Sequence, residues 1–175
     1  MFRGAFDENN FGAFLSDQIR QHARLFFRLA YGVLRDPAAA EDICQQAMLK
    51  GWERRGELHS KTAARGWLAR IVLNESLQAR RRLAIERRAI VERAATAPPE
   101  QAVERSTFEL SEAIVLAMQD LPDTTRLVVA MRVMQGMSGN EVKDVLGCSA
   151  AEVSRQLHRG MELLRQSLAD WQTDL

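Results

Sequence analysis

Apolar residues recur at helical spacing along the first half of the chain, and no useful run alternates with the period of two expected for a strand. Three stripes, at residues 25–34, 40–52 and 67–72, each place apolar side chains on one helical face. Asp36 and Pro37 separate the first two, because Asp is a good N-cap and Pro suits the first helical position. The second helix is expected to bury a set of side chains along one side, namely Ala40, Ile43, Cys44, Ala47, Met48 and Trp52. The pattern predicts helices, with a loop at 56–61.

The second half has shorter helices with clear boundary signals. Two helices are predicted at 108–119 and 124–134, separated by a Leu-Pro-Asp break and ended by Gly136. Ser138 and Glu141 have the spacing of a capping box and open a short helix, and after a Gly-Cys turn Ser149 caps a longer one. A short helix, a turn containing Gly and a longer helix are typical of a helix-turn-helix.

A break in the pattern divides the chain into two modules. Residues 94–106 contain a Pro-Pro pair and no helical stripe, so we assign them to a flexible linker between a first module, residues 16–93, and a second module, residues 107–172. The net charge of the whole chain is only +1, yet residues 16–93 carry 16 basic and 9 acidic side chains, whereas residues 94–175 carry 7 basic and 12 acidic ones. The sequence predicts an all-α fold in which a basic helical domain joins an acidic one.

Composition excludes several classes of protein. With 46% apolar and 27% charged residues the chain has the balance of a soluble globular protein, and no apolar run approaches the roughly 20 residues of a membrane span. Two cysteines, Cys44 and Cys148, cannot form a disulfide scaffold or a four-ligand zinc site. The N-terminus lacks the apolar core of a signal peptide, so a cytoplasmic location is expected.

No enzyme motif is present. The three histidines are scattered, and the chain has no glycine-rich phosphate loop and no serine in a nucleophile elbow. We therefore expect no catalytic residue, no metal and no cofactor, and we interpret Cys44 as a core residue.

The last helix has two distinct faces. Val153, Leu157, Met161 and Leu164 have the spacing of an inward face. The outward face carries the side chains Glu152, Ser154, Arg155, His158 and Arg159. Such a face can read base edges in the major groove of DNA, or it can be the solvated side of an ordinary amphipathic helix.

A second basic feature ends the predicted helix at 64–88. Five arginines lie within nine positions: Arg80, Arg81, Arg82, Arg87 and Arg88. This is more positive charge than a solvated helix end requires, and phosphate contact is the preferred interpretation. Asn74 is polar within an apolar stretch, where it either bonds a neighbouring helix or reads a base.

In order and spacing these segments resemble the extracytoplasmic-function (ECF) sigma factors of bacteria, members of the sigma-70 family with only regions two and four. The matching fragments are RDPAAAEDICQQ followed by Trp52, WLARI followed by Asn74 and the arginines, LPD, GMS, EV, LGCS and LHR. The resemblance extends over about residues 20–169 and implies a region 2 bundle and a region 4 helix-turn-helix.

The resemblance also implies a role for each surface. The helix face with Asp42, Gln45, Leu49 and Trp52 is similar to the one that docks on core RNA polymerase. The loop at 58–65, with Lys61 and Arg65, resembles the part that captures a base of the melted −10 element; Asn74 and the arginines at 80–82 lie behind it. The outward face of the last helix, from Glu152 to Arg159, resembles the reader of the −35 duplex.

Partners follow from the same resemblance: core RNA polymerase, promoter DNA and an anti-sigma factor, which would hold the chain inactive and could retain it at the inner membrane face. The sequence departs from the family pattern at Met48, Gln78, Lys143 and Gln156. The residues alone are also consistent with two other classes of protein. One is a stand-alone helix-turn-helix regulator with a helical sensor domain, and the other is a helical adaptor that binds only protein.

Overall fold

The computed structural model describes residues 8–93 and 101–173, and in that part of the chain it is built from helices and turns without a strand. The α-helices, in chain order, are α1 (Glu8–Leu34), α2 (Pro37–Glu53), α3 (Ala64–Arg93), α4 (Gln101–Asp120), α5 (Asp123–Val129), α6 (Gly139–Leu146) and α7 (Ala150–Thr173). Two 3₁₀ turns at Arg55–Glu57 and Lys61–Ala63 occupy the predicted loop, and a π-helical turn at Ala130–Met134 follows α5. The predicted all-α architecture is confirmed.

Helices α1, α2 and α3 form the first module. Their apolar faces meet in a core that includes Phe11, Leu15 and Leu68, each no more than 2% exposed. Gly51 lets α2 approach α1 closely, because a Cβ at this position would lie only 3.2 Å from the nearest methyl carbon of Leu15. Asp36 caps α2 as predicted, accepting a hydrogen bond from the amide of Ala39 at 3.1 Å.

The second module contains the predicted helix-turn-helix. The capping box of α6 is present, since Ser138 and Glu141 bond each other's backbone amides, and Gly147 ends the helix at φ 64°. Ser149 accepts from the amide of Glu152 at the start of α7. Gly160 is buried where α7 crosses α5, and a Cβ there would come within 2.5 Å of a Val129 methyl carbon.

The structure corrects three predicted core positions. Met48 is 41% exposed, because the buried side of α2 carries Ala47 and Gly51 instead. Met161 is 39% exposed, and Leu163 and Leu164 pack on the core in its place. Trp52, also predicted in the core, is 38% exposed.

Helix bounds differ from prediction at three places. Helix α1 begins at Glu8, well before the predicted stripe at residue 25, and buries Phe11 and Leu15. Helix α3 continues to Arg93, and α4 begins at Gln101, inside the segment assigned to the linker. The rest of that segment before Gln101 lies outside the described residues, so the domain boundary itself stays a prediction.

The two modules pack against each other. Helix α3 contacts α4, α5 and α6, and α1 contacts the π-helical turn. The buried apolar residues of both modules form one continuous cluster, from Phe11 in α1 to Val153 in α7. The second module therefore covers part of α3.

Candidate nucleic-acid interface

One face of α2 presents the residues expected to dock on polymerase. Asp42 and Gln45 are exposed, Leu49 is 64% exposed, and Trp52 lies near the end of the helix. An apolar side chain as open as Leu49, beside a half-open indole, is typical of a protein-binding surface. The structure brings these residues onto one helix, as predicted.

Trp52 is held by two neighbouring side chains. The Phe11 ring centroid lies 5.9 Å from that of the indole, and the Arg55 guanidinium lies 5.1 Å from the indole centroid. Arg55 also donates to the carbonyl oxygen of Trp52 at 3.1 Å. Sequence analysis missed both supporting residues, because Phe11 belongs to the unpredicted start of α1 and Arg55 to a loop.

Two of the predicted −10 residues lie where α3 begins: Lys61 is in the second 3₁₀ turn, and Arg65 is in the first turn of α3. Ser60 accepts from the amide of Ala63 and so fixes the second 3₁₀ turn. The Lys61 ammonium lies 5.9 Å from the ring centroid of Phe14, and Arg65 donates a hydrogen bond to the carbonyl oxygen of Asp144 in α6. Arg65 is therefore engaged by the second module.

Asn74 is bonded to the second module as well. Its Oδ1 accepts a hydrogen bond from Arg126 Nη1 at 2.5 Å. Arg126 also donates to the carbonyl oxygens of Met118, Gln119 and Leu121, at 2.7–2.8 Å. The sequence left two interpretations of Asn74 open, a hydrogen bond to a neighbouring helix or base reading. In this arrangement Asn74 makes the hydrogen bond to a neighbouring helix. Arg126 was not predicted from the sequence, because no motif or spacing distinguishes it from the other arginines of the chain.

A cleft of about 540 Å³ opens beside this contact. It is lined by residues of both modules, namely Asn74, Leu77, Gln78, Arg81, Arg82, Ile85, Gln119 and Arg126. Arg81 and Arg82 are exposed on α3, and Arg81 reaches Gln119 at 3.5 Å. Burial and the nearby Arg87 lower the pKa of Arg80, whereas Glu112 of α4 raises it. Arg81 and Arg82 thus give the cleft a basic rim, whereas Arg80 does not line it.

The outward face of α7 is exposed as predicted. Ser154, Arg155, His158 and Arg159 are exposed, and Glu152 is half-buried. Arg155 and Gln156 both donate to the Glu152 carboxylate, and these bonds hold the pKa of Glu152 below its usual value. The −35 candidates therefore share one open surface.

Two departures from the family pattern have structural explanations. Gln156 points inward, where its Oε1 accepts from Thr125 Oγ1 of α5 at 2.5 Å, so this position braces α7 on α5. Lys143 extends outward from α6 with its side chain 40% exposed, and its ammonium lies 3.7 Å from Asp144. Neither change opens the packing of the helix-turn-helix.

Nothing in the described part of the chain suggests a metal or covalent chemistry. No group of three potential metal ligands occurs among those residues. Burial, with a smaller effect of Glu41, raises the pKa of the Cys44 thiol to about 11. A thiol so rarely ionised is a poor nucleophile, in keeping with a packing role.

Comparison with known proteins identifies both modules. The model of sigma-70 region 2 matches residues 18–85, and that of sigma-70 region 4 matches residues 111–164. An RNA polymerase sigma-E factor of Streptomyces antibioticus is 30% identical over 152 residues, which are 86% of this chain and 82% of that protein. The chain belongs to the sigma-70 family.

Within that family, this sigma factor is similar to the ECF group. The ECF RNA polymerase sigma factor SigE of Mycolicibacterium smegmatis is 32% identical over 86% of this chain and 60% of its own length. The Probable RNA polymerase sigma factor RfaY of Xanthomonas campestris is 30% identical over 80% of this chain and 36% of its own length. The chain thus spans between about a third and three fifths of these two relatives.

Sigma factors are transcription initiation factors and not enzymes. The region 2 match contains the α2 face, the loop and Asn74 with the arginines at 80–82, and the region 4 match contains the open surface of α7. Among the described helices, none combines the length and the apolar character needed to cross a membrane.

Proposed function

We propose that this sigma factor binds core RNA polymerase and directs it to promoters, reading the −35 duplex with the second module and capturing the melted −10 strand with the first. One observation carries the proposal beyond family membership. The expected polymerase-docking residues lie exposed on α2, and the expected −35-reading residues lie exposed on α7, apart from the half-buried Glu152. Of the expected −10 residues, Asn74, Arg81 and Arg82 line one cleft.

Polymerase would dock on the α2 face. Leu49 and the half-open Trp52 offer apolar contact, and Asp42 and Gln45 offer polar groups at its edge. Phe11 and Arg55 hold the indole in place, so little side-chain entropy would be lost on binding. A pre-ordered aromatic residue is a common centre of a protein interface.

The −35 duplex would receive α7. Arg155 and Arg159 lie four residues apart and so project from the same helical face, with Ser154 and His158 beside them. This surface follows the turn of a helix-turn-helix, where residues early in the second helix reach base edges. Because the second module has a net negative charge, its affinity for DNA alone would be weak, and polymerase would supply the second anchor.

The melted −10 strand would enter the cleft beside α3. Asn74 offers a donor and an acceptor for an unstacked base, and Arg81 and Arg82 offer charge for phosphates at the cleft. Lys61, Arg65 and Arg80 do not line the cleft and would contact phosphates beyond it. Capture of a base must repay its unstacking cost, which polar contacts of this kind can do. No covalent step is required.

Two further parts of the proposal rest on the family resemblance. The sigma factor would act in the cytoplasm, where polymerase meets promoters, and an anti-sigma factor would restrain it, in some conditions at the inner membrane face. These parts are tested by co-purification of the chain with its partners from the cells that make it.

The decisive experiment is run-off transcription with core RNA polymerase. Polymerase with this sigma factor should start transcripts at a cognate promoter, and either component alone should not. The double variant Arg155→Ala/Arg159→Ala should lose promoter use and keep polymerase binding. Tight, specific promoter binding without polymerase would instead support a stand-alone helix-turn-helix regulator.

A further inference from the structure

We propose that Gln156 is a positioning residue for reading of the −35 duplex. It links the buried hydroxyl of Thr125 to the carboxylate of Glu152 and so fixes, through Glu152, the guanidinium of Arg155. A chain of side-chain hydrogen bonds thereby connects the interior of the second module to the outward face of α7. This inference deepens the proposed function and rests on it, since Arg155 must meet DNA for its position to matter.

The inner end of this chain is the hydroxyl of Thr125. Thr125 is 0% exposed and lies on α5, where Gly160 lets α7 pack closely. Its Oγ1 lies 2.5 Å from Oε1 of Gln156, a half-buried residue of α7. A buried hydroxyl needs a partner inside the protein, and the Gln156 amide provides it. The side chain of Gln156 is therefore tied to a residue that solvent does not reach.

The carboxylate of Glu152 receives one hydrogen bond at each of its oxygens. Gln156 Nε2 donates to Glu152 Oε1 at 2.7 Å, and Arg155 Nη2 donates to Glu152 Oε2. The backbone of Glu152 is fixed as well, because its amide donates to the Ser149 hydroxyl at 3.1 Å. With its main chain capped and both carboxylate oxygens engaged, Glu152 offers Arg155 an acceptor at a defined place.

The amide of a glutamine suits this position because it both accepts and donates hydrogen bonds. The Glu152 carboxylate can only accept, so Nε2 of Gln156 must face it, and Oε1 is left to accept from Thr125. Lysine or arginine at this position could not accept from the hydroxyl, and an ionised glutamate could not donate to the carboxylate. The link therefore depends on a residue at which this sequence departs from the family pattern.

Exposure rises stepwise from Thr125 to the surface. Gln156 is half-buried, the side chain of Glu152 is 31% exposed, and that of Arg155 is 69% exposed. The bond from Gln156 is the largest of the effects that hold the pKa of Glu152 below its usual value; the bond from Arg155 adds to it, and burial opposes both. Glu152 thus stays an ionised acceptor. An exposed arginine without such an acceptor would sample many rotamers and would lose more entropy on binding DNA.

Binding of the holoenzyme to singly substituted −35 duplexes, measured by fluorescence anisotropy, tests the proposal. Arg155→Ala should identify the base pair that Arg155 reads, because discrimination at that position should be lost. Gln156→Met keeps the side-chain length, removes both hydrogen bonds, and should reduce discrimination at the same base pair by about threefold to tenfold. Gln166→Met, at an exposed position of α7, is the matched control and should keep native discrimination.

A double-variant comparison separates positioning from packing. If Gln156 acts through Glu152, Gln156→Met should change discrimination by less than about twofold when combined with Glu152→Ala. An equal reduction with and without Glu152 would mean that Gln156 only supports the packing of α7. That result would overturn the inference.

The buried end of the chain is tested by two substitutions at Thr125. Thr125→Val removes the hydroxyl with little change of shape and should reduce discrimination at the base pair that Arg155 reads. Thr125→Ser keeps the hydroxyl and should retain that discrimination, so equal results for the two variants would contradict the link.

A measurement on the free chain needs no DNA. In ¹³C NMR titrations the pKa of Glu152 should rise toward its usual value in Gln156→Met and stay low in Gln166→Met. An unchanged pKa of Glu152 in Gln156→Met would show that the bond from Gln156 does not hold the carboxylate.

Failure of the proposed function gives a different result. If the native holoenzyme does not prefer the cognate −35 duplex, or if Arg155→Ala keeps discrimination at every position, α7 does not read DNA as proposed. If Arg155→Ala loses one position and Gln156→Met keeps it, the proposed function stands and the inference is wrong. A uniform loss of affinity for all duplexes in Gln156→Met overturns the inference as well.

Discussion

Glu152 pairs through its carboxylate with the guanidinium of Arg155, one turn later on α7. The acidic residue therefore restrains a side chain expected to read the −35 duplex. It also places a negative charge where phosphates would approach. If α7 reads the −35 duplex as proposed, the pair would limit non-specific attraction to DNA and orient Arg155 toward a base edge.

We expect Glu152→Gln to strengthen binding of non-cognate duplex and to reduce discrimination among promoters. With Arg155 released to contact a phosphate, the slope of log K against log salt should steepen by about 1. Fluorescence anisotropy of the holoenzyme on cognate and scrambled −35 duplexes measures both quantities. Glu162→Gln, at an exposed position two turns beyond Arg155 on α7, is the matched control for loss of one negative charge. Equal effects of the two variants would contradict a specific role for the pair.

Docking on polymerase is tested by charge reversal on α2. Asp42→Arg should abolish co-purification with core polymerase, because a cation would replace an anion at the edge of the docking face. Helicity by circular dichroism should be unchanged, since Asp42 is exposed. Asp17→Arg on α1 controls for charge reversal as such, and unchanged recovery of Asp42→Arg would remove the assignment of this face.

The contact between α5 and α7 depends on a missing side chain at Gly160. A Cβ there would lie 2.5 Å from Val129 and 2.9 Å from Thr125, both β-branched residues that cannot easily move aside. Overpacking costs roughly 1–3 kcal/mol, and the better helix propensity of Ala returns at most about 1 kcal/mol. Gly160→Ala should lower the free energy of unfolding in urea by about 1 kcal/mol, whereas Gly139→Ala, with open space at its Cβ, should not.

Cys44 should resist alkylation. Its pKa of about 11, against an ordinary value of 9.0, lowers the thiolate fraction near pH 8 by about a hundredfold. Iodoacetamide labelling followed by mass spectrometry should show Cys44 reacting far more slowly than an unperturbed model thiol. Glu41→Gln should speed the reaction by removing the second cause of the shift, and fast labelling of native Cys44 would contradict its burial.

The capping box of α6 predicts a dependence of stability on pH. The backbone amide of Ser138 donates to the Glu141 carboxylate at 2.6 Å and lowers its pKa below the ordinary 4.5. Because the folded pKa is lowered, the stabilisation is complete above 4.5 and is lost as the pH falls through the folded value. Glu141→Gln should therefore be less stable than the native chain at pH 7, and the difference should shrink in acid.

Urea unfolding at neutral and acid pH measures this effect. Ser138→Ala removes the reciprocal bond and should cost about 1 kcal/mol at neutral pH. A difference between Glu141→Gln and the native chain that stays constant with pH would mean that the carboxylate charge does not support the cap.

Local signals in the sequence were sufficient for much of this structure. Asp36, Ser138 and Ser149 cap the helices they were predicted to cap, because an N-cap acts within three residues of itself. The open surface of α7 followed from helical periodicity in the same way. Met161 was assigned to the wrong face because a spacing of four drifts around a helix of 3.6 residues per turn.

The packing between modules had no local signal. Asn74 and Arg126 are 52 residues apart and Arg65 and Asp144 are 79 apart, so nothing in either neighbourhood indicates its partner. Gly66 did carry a hint, because a glycine inside a helical stripe often marks a close approach of two backbones. Helix α1 begins well before the predicted stripe at 25–34, and its unpredicted first turns bury Phe11 and Leu15.

The unequal division of charge between the two halves of the chain has one more consequence. A promoter is a dense polyanion, so it attracts the basic first module and repels the acidic second one. DNA and the acidic module thus compete for the basic module. Promoter DNA would therefore weaken the electrostatic attraction between the two packed modules.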